Sequence, residues 1–573
     1  MYQHLSTPSR ALRLSLLASA IVALGACASS SFMLDRNAKA PRLDGFGTIA
    51  MKSGSSVPAA HELFAQGMAQ AYGFNEAEAV RAFKAALALD PACAMCAWGV
   101  AWQLGPNINN SQRGDLREAL NYVDYALKHS STSTPHDRAL IESLALRYAH
   151  GSEAKNIAPI QAEICGTGSK GGQGGEKAHP LDVAYAERMR ELAARFPDDP
   201  DLMSFYAEAE MIATRDDWWD RQTGKPGGRM GEVADKLEAA LVKHPNHTGL
   251  NHYMIHSVDA LQVASRAEAA ADRLGALAPK SPHLLHMPAH TYVQLGRYAD
   301  ATRVNQQALA ADETMMANLK AQGFSVSKDW RGHNGHFQWY GALMEGRSEL
   351  ALGTARKAAE LAKGDHEYAE YLRSMPSLTL LRLQRWDELI KEPMPTGGRG
   401  MASVLGEMAH GIALARSGRG DDAKAALARL DASAEALTKK HTGSDYIPKM
   451  IRSIAGTARA QLRAELALAN KRPDEALASQ AEAVKAAFDA DGTEPPMLAA
   501  GTRLSLGQMQ LKLQRFAEAE QSFRADLVEH PKSGWALQGL VQALKAQGKP
   551  VDDVQAELQK SWALADAALK TNR

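Results

Sequence analysis

Seven histidines fall between residues 252 and 336 of a 573-residue chain that contains 19 in all. Two pairs are four residues apart, His252/His256 in HYMIH and His286/His290 in HMPAH. On a helix that spacing puts both rings on one face, where they can clamp one divalent ion. Neutral imidazole suits copper or zinc, with iron or nickel next, rather than calcium or magnesium. His252, His256, His286 and His290 are therefore the expected ligands of a transition metal. His283, His333, His336, Glu208, Asp259 and Tyr340 form a second set, as further ligands, pocket walls or acceptors that orient the rings. Pro288, within the second pair, removes one helical hydrogen bond and bends the axis. The bend would tip His286 relative to His290.

Three further features carry chemistry. Cys93 and Cys96 in CAMC could form a disulfide across one helical turn, a metal clip or a redox pair. Ala97 stands where a c-type haem site has histidine. Trp98 and Trp102 would make an aromatic stacking platform beside them. No HExxH motif or Ser/His/Asp order can be placed, so whether the protein is an enzyme stays open. The GTGSKGGQGGEK segment lacks the GK[ST] ending of a phosphate-binding loop.

The elements that position these residues are helical. Aromatics are only 6% of the chain and charges balance at 65 of each sign. That balance gives no general attraction to nucleic acid or to an acidic membrane surface. At the N-terminus, a weakly basic start is followed by LSLLASAIVAL and then LGAC, ending at Cys27. The apolar run is too short to span a bilayer as a mature helix. LGAC resembles the lipobox of bacterial lipoproteins, which implies lipidation at Cys27. Ala28 in place of aspartate implies an outer-membrane address facing the periplasm. The only expected contact with the membrane is through that anchor.

The remainder repeats. In HELFAQGMAQAYGFNEAEAVRAFKAALALDP, Gly67, Ala79, Phe83, Ala86 and Pro91 occupy a small, small, aromatic, small and proline pattern. Gly507, Ala519, Phe523 and Pro531 repeat it, and Pro245 and Pro279 lie one period of 34 apart. Turn signatures recur as LGRYADA, EGRSELA, LQRWDEL, SGRGDDA, NKRPDEA and LQRFAEA. The pattern resembles the tetratricopeptide repeat over roughly residues 60–570. The resemblance implies an all-α solenoid, a right-handed superhelix of antiparallel helix pairs with a concave inner face. The expected layout is a signal peptide over 1–27, a flexible tether over 28–57 and N-terminal repeats over 58–165. A glycine-rich loop over 166–178 follows, then central repeats over 179–380 and C-terminal repeats with a cap over 381–573.

By the same resemblance, the second, fifth and ninth places of each repeat face inward. In three successive central repeats these hold Gly249, His252 and His256; His283, His286 and His290; and His333, His336 and Tyr340. Seven of these nine places are histidine, where composition alone predicts roughly 0.3. The function expected is a lipid-anchored envelope protein that binds a ligand on its concave face, a transition metal held by the central histidines. A metal-free scaffold for an envelope protein or peptide is the alternative, and a metalloenzyme whose substrate the sequence does not name is the next; a small-molecule ligand at the metal is the other expected partner.

Overall fold

The computed structural model describes residues 32–109, 116–149, 178–215, 218–327, 329–398, 400–443, 446–488, 494–498, 501–567 and 569. Cys27, the segment expected to be a signal peptide and most of the glycine-rich stretch lie outside them. Among the described residues there is no strand, only one isolated bridge between Trp219 and Pro226. No described helix is long and apolar enough to cross a membrane.

Helices stack as antiparallel pairs, beginning with Pro58–Tyr72 against Glu76–Leu89. The small-and-aromatic pattern explains the close approach. A Cβ on Gly67 would lie 2.6 Å from the Phe83 ring, and one on Gly507 would lie 2.7 Å from Phe523. Only glycine fits either place. The turn between paired helices uses one left-handed residue, Gly296 (φ 68°) in LGRYADA and Gly346 (φ 76°) in EGRSELA. The same slot is filled at higher conformational cost by Gln384, Lys471 and Gln514, and in the first repeat by Phe74 (φ 49°). The fold is that of a tetratricopeptide-type α-solenoid.

The solenoid closes on itself. Tyr72, at the end of the first helix, donates to Asp201 Oδ1 at 2.5 Å, and its ring occupies the space where a side chain on Gly249 would go. From the other end, the Trp535 and Trp562 indoles donate to the carbonyls of Leu343 and Met344 at 2.8 and 3.2 Å. The first and last described helices thus pack against the middle of the stack.

Residues 32–57 correct the expectation of a flexible tether. Leu43, Phe46 and Met51 are buried, and Phe32 packs edge-on against Tyr122 at 4.9 Å. Gly45 O accepts from Lys280 N at 2.9 Å, while the Arg42 backbone exchanges two hydrogen bonds with Gln322. Its spaced apolar residues give the segment enough area to dock, at about 25 cal/mol per Å² of apolar surface removed from water.

The aromatic platform is also corrected. Trp98 and Trp102 stack at 5.3 Å, but both are buried against Phe205 and do not form an exposed platform. Cys93 and Cys96 are joined by a disulfide, which removes the metal-clip option. Cys93 also caps the helix Ala94–Gln103, its sulfur accepting from Cys96 N.

Candidate metal centre

Three consecutive inner helices carry the histidines: Thr248–Ser257, the pair Pro282–His286 and Pro288–Gln294, and Arg331–Met344. The middle one is broken at Met287, as Pro288 predicts. The rings do not gather into one four-histidine site. They divide into two triads, His252/His256/His283 and His286/His290/His333, each with one ligand nitrogen per ring within 4.8 Å of the others. His283, placed in the second set by sequence, completes the first triad.

In the first triad, His252 Nε2 lies 3.0 Å from His283 Nε2 and 3.1 Å from His256 Nε2. Three rings therefore aim the same nitrogen at one point. In the second, His286 Nε2 and His290 Nε2 are 3.0 Å apart. Their far nitrogens are engaged. His286 Nδ1 donates to Asn305 Oδ1 at 2.7 Å, the amide being fixed because its Nδ2 donates to Ala301 O. His290 Nδ1 donates to Asp259 Oδ2 at 2.6 Å, with Glu494 Oε2 at 3.1 Å. Such outer acceptors set the tautomer and point Nε2 into the triad. Asp259 thus fixes the orientation of the His290 ring.

Burial acts on four of the six rings. It holds His252 and His286 well below the ordinary histidine range, and His256 and His333 down at about 3, with the His290 charge acting in the same direction. These four rings are neutral at pH 7, the form a metal requires. Burial also opposes charge on His290, but Asp259 outweighs it and raises the ring to about 10. Without metal, His290 is an imidazolium that can donate Nε2–H to His286. Between the neighbouring carboxyls, Asp259 is held down by His290, while the Asp259 charge pushes Glu494 up.

Aromatic rings enclose both groups. Phe74 lies 4.5, 5.5 and 5.0 Å from His252, His256 and His283, and Trp330 stacks on His283 at 4.5 Å. Phe337 covers His286, His290 and His333 at 4.6, 4.5 and 5.2 Å. The stretch carrying Trp219 and Arg221 reaches the rim. Trp219 donates to Ser257 O at 2.7 Å, just past His256, and Arg221 donates to Phe488 O at 2.8 Å on the segment leading to Glu494.

Three residues of the second set stand elsewhere. His336 Nε2 is 2.8 Å from the Tyr371 hydroxyl, which itself donates to Met497 O, so His336 is satisfied within the core. Tyr340 is buried beside Tyr298 and belongs to neither triad. Glu208 is buried next to Trp102 and Tyr253, which hydrogen-bond it, and burial raises it to about 7. It lines a separate small cavity with Phe74 and Asn107.

Phe74, Asn305, Trp330, Phe337 and Glu494 were missed by sequence reasoning. Phe74 carried one readable signal, since it occupies a turn slot that glycine holds in sister repeats.

No family model matches the chain, and no curated protein does. Solved structures give weak overall likeness. Human IFIT1 with a capped RNA, m7Gppp-AAAA, is 11% identical, with 82% of this chain and 90% of that one covered and a TM-score of 0.31. The P58(IPK) TPR domain is 13% identical over 85% and 98%, with a TM-score of 0.20. Yeast Tom70 is 14% identical over 89% and 93%, with a TM-score of 0.28. At those scores none of them informs the site.

Proposed function

We propose that this chain is a transition-metal-binding protein of the cell envelope, anchored by lipid at Cys27, with the metal held by the central histidines. The observation that carries the reading is the first triad. Three buried imidazoles bring one nitrogen each to a single point, with contacts of 3.0 and 3.1 Å. One shared proton can satisfy only one such contact well, because each nitrogen has a single lone pair or a single hydrogen. One cation at the usual bond length of about 2.1 Å satisfies all three.

The test is metal analysis of the purified mature chain against His252→Ala/His286→Ala. The wild type is expected to hold at least one transition metal per chain and the double variant to lose it. Sub-stoichiometric metal in both would sink the reading.

The repeat architecture favours a second reading, a metal-free scaffold for a protein or peptide of the envelope. Pull-down of a partner that is equal for wild type and the double variant, both lacking metal, would favour it.

A further inference from the structure

We infer that the two triads hold a pair of copper ions, one in each, bridged by an oxygen ligand drawn from water. This rests on the metal-binding reading above and goes further, to the number of ions, their identity and what joins them.

The division of ligands comes first. The middle helix contributes to both sites: His283 joins His252 and His256, while His286 and His290 join His333. One helix therefore forms a shared wall between two centres. Rings of different triads are neighbours, with His256 and His290 centroids 6.2 Å apart and His283 and His286 centroids 6.1 Å apart. Sites this closely interlocked place their ions in the regime of paired metals, where separations of about 3.5–4 Å let one ligand touch both.

The ligand chemistry selects the metal. Each triad is made only of imidazoles, with no carboxylate, which disfavours magnesium, calcium and manganese. Among divalent ions on nitrogen ligands, copper binds most tightly. Three protein ligands leave each ion an open position. The carboxylates present, Asp259 and Glu494, engage the far nitrogen of His290 and so orient the ring.

The open positions have a source of oxygen. His333 is part-exposed and the Glu494 side chain is 44% exposed, so the second triad borders solvent. Phe74, Trp330 and Phe337 cover the other sides. A water entering there loses a proton to solvent, and the remaining hydroxide forms a bond to each Cu(II). No electron transfer is involved, because the copper is supplied as Cu(II).

The experiment loads the metal-free mature chain with equal Cu(II) and Zn(II), removes excess, and measures metal content and electron paramagnetic resonance. We expect two coppers per chain and a signal accounting for well under half of them, because a bridged Cu(II) pair is magnetically coupled. His333→Ala should hold one copper per chain, fully visible in the spectrum. Two fully visible coppers, one copper in the wild type, or zinc retained over copper would overturn the pair while leaving metal binding intact. No metal above background would overturn both. If His333→Ala lacks the wild-type circular dichroism spectrum, the wild-type stoichiometry and signal decide alone.

Discussion

Phe74 shows how a single residue can be costly locally and useful at a distance. It takes the left-handed turn slot, with φ of 49°, and rests its ring on three histidines. Truncating it to alanine should cost about 3 kcal/mol through the cavity left behind. Glycine leaves a slightly larger cavity but relieves a backbone penalty of about 1 kcal/mol. We therefore expect Phe74→Gly to be more stable than Phe74→Ala, the reverse of their order in a helix interior, as read by urea denaturation of the metal-free chain. The histidine register could be read from sequence because repeat period and helical geometry together fix which side chains point inward. Phe74 could not, because what it touches depends on how far the superhelix turns. Glu208 was misplaced for the same reason: its inward position faces Trp102 and Tyr253 and lies away from the histidine wall.

At the level of elements, two helices define testable behaviour. Pro288 breaks the central histidine helix, and the break sets how His286 and His290 meet. Replacing it with alanine restores a helical hydrogen bond and removes a penalty of up to about 3 kcal/mol. The expected result is a melting temperature at or above wild type together with loss of metal from the second triad, measured on the same preparation. The second case is His136, at the start of Pro135–Arg147, which bridges Asp137 and Asp199 at 2.9 Å each. Those contacts raise it to about 9 against burial. A pKa raised in the folded state stabilises fully below the unfolded value of about 6.5 and is lost as pH climbs towards 9. His136→Gln should therefore destabilise by on the order of 2 kcal/mol at pH 5.5 and by little at pH 9.5, as read by denaturant midpoints. The repeat pairs themselves were legible, down to the glycines under Phe83 and Phe523. The docking of residues 32–57 was not, because a segment without periodicity shows its partner only once the body is built.

For the whole molecule, the important feature is that the first and last described helices return to the middle. Trp562 packs under Gly346 and donates to Met344 O from 218 residues away. Trp562→Ala should cost about 3–5 kcal/mol. In a solenoid the loss passes to whatever the repeat touches. Hydrogen exchange should accelerate in Arg331–Met344 as well as in the C-terminal helices, and exchange confined to the C-terminus would contradict this picture.

The closure has a further meaning for a chain made from one end to the other. The histidine triads are walled by Phe74 near the beginning and by Glu494 towards the end, with the triad residues between them. Contacts so distant along the chain are among the last to form, since the loops they close are the longest. A nascent or partly degraded chain thus has the ligands but no enclosed chamber. Metal held behind those walls would mark a molecule that is complete, and its release would be an early sign that either end has come loose.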